Sequence, residues 1–323
     1  MKLSYDLEYY LAKMPQSLQD KVLKSIELIK KAEPLAKIYD KEKGFYLGFS
    51  GGKDSQVIYH LTELSGVSFH PFFSPTSIDP AENISFIKKE YPEVEFTPLT
   101  TNIYKQAIKH NILPSRLRRW CCADFKEKCG SEKVVIIGVR REESYKRSFR
   151  NEIEIPRNKF SGSIEKFKEY REEQIKKKLS KKKSIDQFDE HKESMVTCVS
   201  GKDKIVLSPI LEWTEDDVWS FLEIVKVPTN PLYKTDKRVG CILCPMANVH
   251  QKKTQILKYP YVKKKWIDAI KIMINNNYRK DLRQQYSEIS DDDFAECVFD
   301  TWIAEIPLKQ LLSDRFLQLK LDL

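Results

Sequence analysis

Six consecutive residues, Ser50-Gly51-Gly52-Lys53-Asp54-Ser55, stand between a short apolar run and a helical pattern. Two adjacent glycines let a backbone turn tightly and approach an anion without a Cβ in the way. The amides of such a loop and the positive end of the following helix make an anion cradle. Ser50 and Ser55 add hydroxyls, Lys53 adds a full charge, and Asp54 offers an oxygen for Mg²⁺ or a cap for the helix. The spacing is not that of the P-loop of kinases and GTPases, which places four residues between its first Gly and Gly-Lys. Four thiols form a second group, paired as Cys121-Cys122 and as Cys241-Ile-Leu-Cys244. Four thiolates suit an iron–sulfur cluster or a zinc ion held by four cysteines, and a metal-free redox dithiol is a third option. Adjacent cysteines fit the two-residue gap of a zinc knuckle poorly, which favours the cluster over zinc. Arg140 and Arg147 are a third group, two permanent cations with forks that match sulfate or phosphate. The plainer reading of these arginines is a surface salt-bridge cluster with Glu142 and Glu143.

The elements around these residues alternate. A helical stretch over 1–43, with Ser17 as N-cap and Val22, Ile26, Leu28 and Ile29 on one face, leads into a buried strand at 44–49. Helices at 56–64, 83–91 and 102–110 interleave with strands at 67–73, 94–99, 133–138 and 205–210. Such alternation implies an α/β fold with a mostly parallel, doubly wound sheet. The loop at 50–55 and Arg140 then both follow strands, where open α/β sheets bind ligands. Thr214 reads as a helix N-cap with Asp217 closing a box, and Trp213, Val218 and Trp219 as packing. From 261 onward the chain reads as helical, with Trp266, Ile267, Ile270, Ile274, Phe294, Val298, Trp302 and Ile303 as apolar faces. The expected organisation is an N-terminal helical segment over 1–43, an α/β domain over 44–245 and a helical C-terminal subdomain over 246–323.

A basic insert over 157–195 interrupts the α/β rhythm. Its part over 157–183 carries eleven Lys/Arg against four Glu. It reads as a solvated helix or as a contact to a phosphate backbone. The whole chain has 323 residues and a formal charge of +9, which favours an anionic partner over a neutral one. Hydrophobic residues at 41% supply a sizeable core, and no apolar run is long enough for a membrane span. Seven cysteines, an odd number, argue against a disulfide framework. Residues 1–14 include Asp6 and Glu8 and lack a continuous apolar core, so a cytoplasmic setting without membrane attachment is expected.

The loop resembles the PP-loop of the ATP pyrophosphatase, or adenine nucleotide α-hydrolase, superfamily, whose members cleave ATP between the α and β phosphates. Arg119-Trp-Cys-Cys122 with Lys126, Gly138-x-Arg140-x-x-Glu143-Ser144-x-x-Arg147, Pro209-Ile210-x-x-Trp213-Thr214-x-x-Asp217-Val218-Trp219 and Gly240-Cys-x-x-Cys-Pro245 together resemble the phosphoadenosine phosphosulfate (PAPS) reductase family. The resemblance implies an adenine nucleotide α-hydrolase-like fold. It implies ATP and Mg²⁺ at Ser50, Gly51, Gly52, Lys53, Asp54 and Ser55, with Lys53, Asp54 and Ser55 taking part in catalysis. It also implies an acceptor or anion at Arg140, Glu143, Ser144 and Arg147, and a 4Fe–4S cluster on Cys121, Cys122, Cys241 and Cys244.

Two departures narrow the activity. Reductases of this family attack an activated sulfate with a cysteine in a C-terminal Glu-Cys-Gly-Leu-His motif. Here Cys297 sits in Ala-Glu-Cys-Val-Phe, inside a helical apolar pattern. The loop is also intact, as an enzyme that expels pyrophosphate from ATP requires. This combination is similar to the enzymes of DNA phosphorothioation and tRNA thiolation. The expected activity is ATP-dependent activation of a nucleic-acid substrate for sulfur insertion, with a cysteine desulfurase as sulfur donor. The alternatives are a sulfonucleotide reductase drawing electrons from thioredoxin, and a nucleotide-binding regulatory module without turnover.

Overall fold

The computed structural model describes residues 7–127, 129–156, 196–199 and 204–321, so the basic insert lies outside the described residues. The chain forms two compact units. One takes in Met1–Ser74, Ala81–Thr97 and Glu127–Val239; the other takes in Pro75–Pro80, Pro98–Lys126 and Gly240–Leu323.

The first unit is built on a mostly parallel sheet. Its strands are β1 (Phe45–Gly48), β2 (Phe69–Phe73), β3 (Glu95–Phe96), β4 (Val134–Ile136), β5 (Ile153–Pro156), β6 (Val196–Val199) and β7 (Ile205–Leu207). They lie in the order β3-β2-β1-β4-β7-β5-β6. The order runs one way from β1 through β2 to β3 and the other way through β4 to β7. The carboxyl ends of β1 and β4 are therefore a topological switch point, where the chain leaves a crevice for a ligand. Phe45 and Leu47 of β1, Ile136 of β4 and Leu207 of β7 are buried at 0–1% exposure, which marks β1, β4 and β7 as central. Helices α1 (Leu7–Leu11), α2 (Gln16–Tyr39), α3 (Lys53–Ser65), α4 (Ala81–Glu90) and α8 (Glu215–Ile224), the last numbered after α7 (Tyr145–Ser148), flank this sheet. Four of them, α2, α3, α4 and α8, share its core through Val22, Ile29, Ile58, Ile87 and Phe221.

Several local expectations hold. Thr214 caps α8, accepting from the Asp217 amide while Asp217 accepts from the Thr214 amide. Trp213 and Val218 are buried, and Trp213 Nε1 donates to Ser25 Oγ at 3.1 Å. Other expectations shift. Helix α2 begins at Gln16, behind Pro15, so Ser17 sits within the first turn rather than capping it. Proline presets the helical φ and gives up no needed amide there. The third strand keeps two residues, because Pro98 follows closely and removes a ladder donor. Strand β5 runs antiparallel to β7, with Ile153 opposite Leu207 and Glu154 opposite Val206, and β6 extends the edge parallel to β5. Buried Glu152 and Glu154 disguise β5 in the sequence; Lys24 at 2.9 Å and Arg150 at 2.9 Å neutralise them.

The second unit is helical. It contains α5 (Ile103–His110), α6 (Trp120–Cys122), α9 (Val249–Lys258), α10 (Pro260–Asn275), α11 (Lys280–Gln285), α12 (Asp291–Ala304) and α13 (Leu308–Leu321). The expected apolar residues make its core. Trp266, Ile270, Phe294 and Phe299 are fully buried, and the Trp266 and Trp302 rings lie 5.0 Å apart. No helix among the described residues is long and apolar enough to cross a membrane.

Candidate functional site

Two chemically distinct sites emerge, one in each unit. The first is the loop between β1 and α3. Gly51 adopts φ +74°, and a Cβ there would lie 2.3 Å from Asn83 Oδ1. Gly52 is the N-cap of α3, with ordinary extended dihedrals. The loop is clamped by amides that the sequence reading did not single out. Asn83 Nδ2 donates to the Ser50 carbonyl at 3.1 Å, and Asn230 Nδ2 donates to the Gly51 carbonyl at 2.9 Å and to Asn83 Oδ1 at 2.7 Å. Asn230 in turn accepts from the Leu232 amide at 3.0 Å and is fully buried. Inside the loop, Ser55 Oγ donates to the Gly52 carbonyl at 2.7 Å and Ser50 Oγ donates to Ser55 Oγ at 3.1 Å.

The cations of the site are buried and occupied by carboxylates. Lys53 Nζ lies 3.0 Å from Asp54 Oδ2 and 3.7 Å from Glu215 Oε1. Arg140 Nε donates to Asp54 Oδ1 at 2.6 Å, and its Nη1 donates to Glu142 Oε2 at 2.6 Å. Asp54 therefore bridges Lys53 and Arg140. Gly138 brings the strand end close enough for this contact, since a Cβ there would lie 2.7 Å from the Asp54 carbonyl oxygen. The Lys53 amide donates to Tyr233 Oη at 2.9 Å. Burial pushes the Tyr233 phenol up to about 12, so it stays protonated. The Gly52 amide donates to Ser50 Oγ at 3.4 Å, so two loop amides are turned to protein, and the other amides of the first helical turn have no intrahelical acceptor.

Of the four residues expected to hold an acceptor or anion, Arg140 reaches this cluster directly through its guanidinium. Its own amide donates to Glu143 Oε2 at 3.0 Å. Arg147 pairs with Glu143, and Ser144 opens the short helix α7 as an exposed residue. The salt-bridge reading thus describes what the structure shows, with Arg140 on Glu142 and Arg147 on Glu143.

The second site holds the thiols. Cys121 and Cys122 sit on α6, which continues into a π-helical turn over Ala123–Glu127. Such turns are rare and gather at functional sites. Cys241 and Cys244 sit on a turn closed by the Cys244 amide donating to the Cys241 carbonyl at 3.3 Å, with Leu243 at φ +54°. That strained turn is fixed by burial of Ile242 and Leu243 and by the Ile242 amide donating to the Ile78 carbonyl at 2.8 Å. Cys121 feels the charge of each of the other three sulfurs. A hydrogen bond from Cys121, backed by Arg119, holds the Cys122 thiol below its usual range; the same bond raises Cys121.

Donors surround the sulfurs. Arg119 Nη2 donates to Cys122 Sγ at 3.3 Å, Lys126 Nζ to Cys241 Sγ at 3.3 Å, and Thr76 Oγ1 to Cys241 Sγ at 3.4 Å. Burial pushes the Cys241 thiol up, and the Lys126 ammonium beside it opposes that rise. Four thiols with N–H donors at sulfur fit a thiolate-ligated group. Among the described residues no three of His, Cys, Asp or Glu stand in metal-holding geometry, so the donors are gathered without being arranged as ligands. Cys129 belongs to the other unit, and the side chain of Cys198 is outside the described residues. Cys297 is buried in α12 and its thiol is raised by burial, which suits packing better than nucleophilic attack.

An anion loop at the switch point of a mostly parallel sheet defines a nucleotide-binding α/β protein of the PP-loop type. The phosphoadenosine phosphosulfate reductase domain matches residues 44–247, and the chain belongs to that family. Two uncharacterised proteins of Methanocaldococcus jannaschii are relatives. One is 27% identical over 276 residues, covering 82% of this chain and 56% of its own length. The other is 23% identical over 248 residues, covering 72% of this chain and 43% of its own. The chain thus spans about half the length of these relatives. Among solved structures, an FMN adenylyltransferase of Candida glabrata is similar at a TM-score of 0.42 and 15% identity, over 73% of this chain and 67% of that one. The U34-tRNA thiolase NcsA of Methanococcus maripaludis, with its 4Fe–4S cluster, is similar at a TM-score of 0.27 and 14% identity, over 79% and 80%.

Proposed function

We propose that the protein is an ATP pyrophosphatase that activates a nucleic-acid acceptor for sulfur insertion. The observation that carries this reading is the intact Ser50–Ser55 loop, built at the switch point with Lys53 and Arg140 buried beside it. An acceptor oxygen attacks the α-phosphorus of ATP, the bond to the bridging oxygen of the β-phosphate breaks, and pyrophosphate leaves. Lys53 and the free amides of the first helical turn take up the charge that develops on that leaving group. Asp54 would hold Mg²⁺ through its carboxylate, and the ion would supply charge neutralisation on the phosphates. Arg140 holds the phosphate next to the reacting one. Sulfur from a donor such as a cysteine desulfurase then displaces AMP from the acceptor.

Cys121, Cys122, Cys241 and Cys244 would hold a 4Fe–4S cluster. When bound, it would supply soft iron–sulfur chemistry beside the donors Arg119, Lys126 and Thr76. The net charge of +9 favours a polyanionic acceptor. The reductase alternative needs an accessible C-terminal thiol, and buried Cys297 weighs against it.

The test is incubation of anaerobically purified protein with Mg²⁺ and ATP labelled at the α-phosphate, with Lys53→Ala as control. Lys53-dependent AMP and pyrophosphate are expected. If no AMP forms even with tRNA, DNA and a sulfur donor present, the reading fails, and sulfite release from adenylylated sulfates becomes the assay to run.

A further inference from the structure

The helical unit carries a cavity of about 480 Å³ lined by Asn111, Ile112, Arg118, Asn277, Tyr278 and Arg279. Its volume falls within the span of small-ligand sites. Neither guanidinium at its rim has a carboxylate partner among the described residues; Arg279 rests on the Tyr278 ring at 5.3 Å, and Arg118 makes only backbone hydrogen bonds. On a surface where most arginines are ion-paired, two uncompensated forks on one cavity mark a place for an external anion.

The walls are tied together. Asn111 Nδ2 donates to the Asn276 carbonyl at 3.1 Å, so the end of α5 and the turn after α10 hold a fixed spacing. Arg279 has φ +56°, the left-handed region that a residue with a Cβ adopts only where its surroundings hold it there. The cavity is also tied to the thiols. Trp120 Nε1 donates to the Ile112 carbonyl at 3.1 Å, and Trp120 directly precedes Cys121. Leu117, between Arg116 and Arg118, is 96% exposed, an apolar side chain presented beside the forks.

We propose that this cavity is a docking site for a single-stranded nucleic-acid segment, with Arg118 and Arg279 on its phosphates and Leu117 against its bases. Single strands are held by cations that track the backbone and by side-chain faces that cover the bases, aromatic ones most strongly, of which Leu117 offers the weaker aliphatic form. The inference rests on the nucleic-acid acceptor proposed above and names where this chain grips it outside the ATP loop.

The test uses fluorescein-labelled single-stranded RNA and DNA of mixed sequence, about 20 nucleotides long, which exceeds single-strand sites of this kind. Binding to the full chain is followed by anisotropy across a salt series. For Arg118→Gln/Arg279→Gln, loss of two phosphate contacts predicts a log–log salt slope shallower by about 1.4 and binding about 25-fold weaker near 0.1 M salt. Arg118→Lys/Arg279→Lys keeps both charges and restores most of the slope. Lys53-dependent AMP release without acceptor stays at the wild-type level in both variants. Wild-type affinity and slope in the Gln variant overturn the docking site while leaving a nucleic-acid acceptor standing. If the wild-type chain releases AMP but binds neither polymer, the docking site and the nucleic-acid acceptor both fall.

Discussion

Gly51 and Gly52 are adjacent and identical in the sequence, yet the structure assigns them different tolerances. An alanine at Gly51 must hold φ near +74°, which costs about 1–2 kcal/mol for a residue with a Cβ. Its Cβ would also lie 2.3 Å from Asn83 Oδ1 and 3.0 Å from Ile87 Cγ1. Asn83 cannot simply swing away. It is buried, it donates to the Ser50 carbonyl, and its Oδ1 is the acceptor for Asn230, which is itself fixed at Gly51 and Leu232. Displacing Asn83 breaks two buried hydrogen bonds worth about 1 kcal/mol each. Gly51→Ala should therefore destabilise by roughly 3–4 kcal/mol, a fall in Tm of order 10 °C. Gly52→Ala meets only Tyr233 Oη at 3.3 Å and Ser50 Oγ at 3.4 Å with an allowed φ, and should lose about 1 kcal/mol at most. Thermal unfolding with and without Mg–pyrophosphate separates the two, because the loop is where the proposed ligand would add stability. Equal Tm values for the two variants would refute the clamp argument, as would a Gly51→Ala protein that is stabilised by ligand as much as wild type.

Three further outcomes are expected. Protein reconstituted anaerobically should carry about four irons per chain, and Cys241→Ser or Cys244→Ser should lose most of them while the far-UV spectrum is kept; wild-type iron in both variants removes that turn from the ligand set. Burial holds the His60 imidazole below its usual value, between Glu63 and Tyr91, so the unfolded chain takes up a proton that the folded one refuses. This contribution is fully present above about pH 6.5 and is lost as pH falls towards the depressed folded value, with a slope of at most about 1.4 kcal/mol per pH unit; urea midpoints from pH 7.5 down to 5.5 should fall more steeply for wild type than for His60→Gln, and parallel curves would contradict it. Asp54→Asn should bind metal-free pyrophosphate several-fold more tightly yet release AMP from Mg–ATP at least about a hundredfold more slowly, because it frees two cations and removes a metal ligand; a variant with unchanged pyrophosphate affinity would show that Asp54 does not compete with the anion.

The parts of the molecule legible in the sequence are those set by local rules. Adjacent glycines, apolar alternation and the Thr214–Asp217 box announce the loop, the central strands and α8 without help from distant residues. What was not legible depends on residues far apart in the chain. Asn83 and Asn230 lie 147 positions apart and meet at 2.7 Å to clamp the loop, yet each is an ordinary asparagine in its own neighbourhood. Tyr233 beside the Lys53 amide is hidden for the same reason. Strand β5 was obscured because its glutamates are buried, and only Lys24 and Arg150 make that burial tolerable. Arg140 and Arg147 share one motif, but α7 begins between them, so they separate into a loop partner and a helix-surface pair.

Under the proposed ATP chemistry, the charge arrangement around the loop gives a divalent cation a role. Lys53 and Arg140 are nearly buried, and a buried cation without a counter-ion is costly. The fold meets that cost with Asp54 between them and with Glu142 and Glu215 alongside. An incoming phosphate cannot add to this set, because it would stand next to Asp54 as a like charge. At roughly 4 Å and an effective dielectric near 20, such a pair repels by about 4 kcal/mol, enough to offset one strong contact to Lys53. The anion must therefore take the place of Asp54 on the two cations, and Asp54 then needs a new partner. A divalent cation arriving on the nucleotide supplies one. On this argument the carboxylate in Gly-Gly-Lys-Asp-Ser would serve twice: it neutralises Lys53 and Arg140, and under the proposed chemistry it would turn to the metal when the nucleotide binds. The same exchange would make discrimination against metal-free nucleotide a property of the loop itself, since a ligand that brings a cation relieves the repulsion it creates.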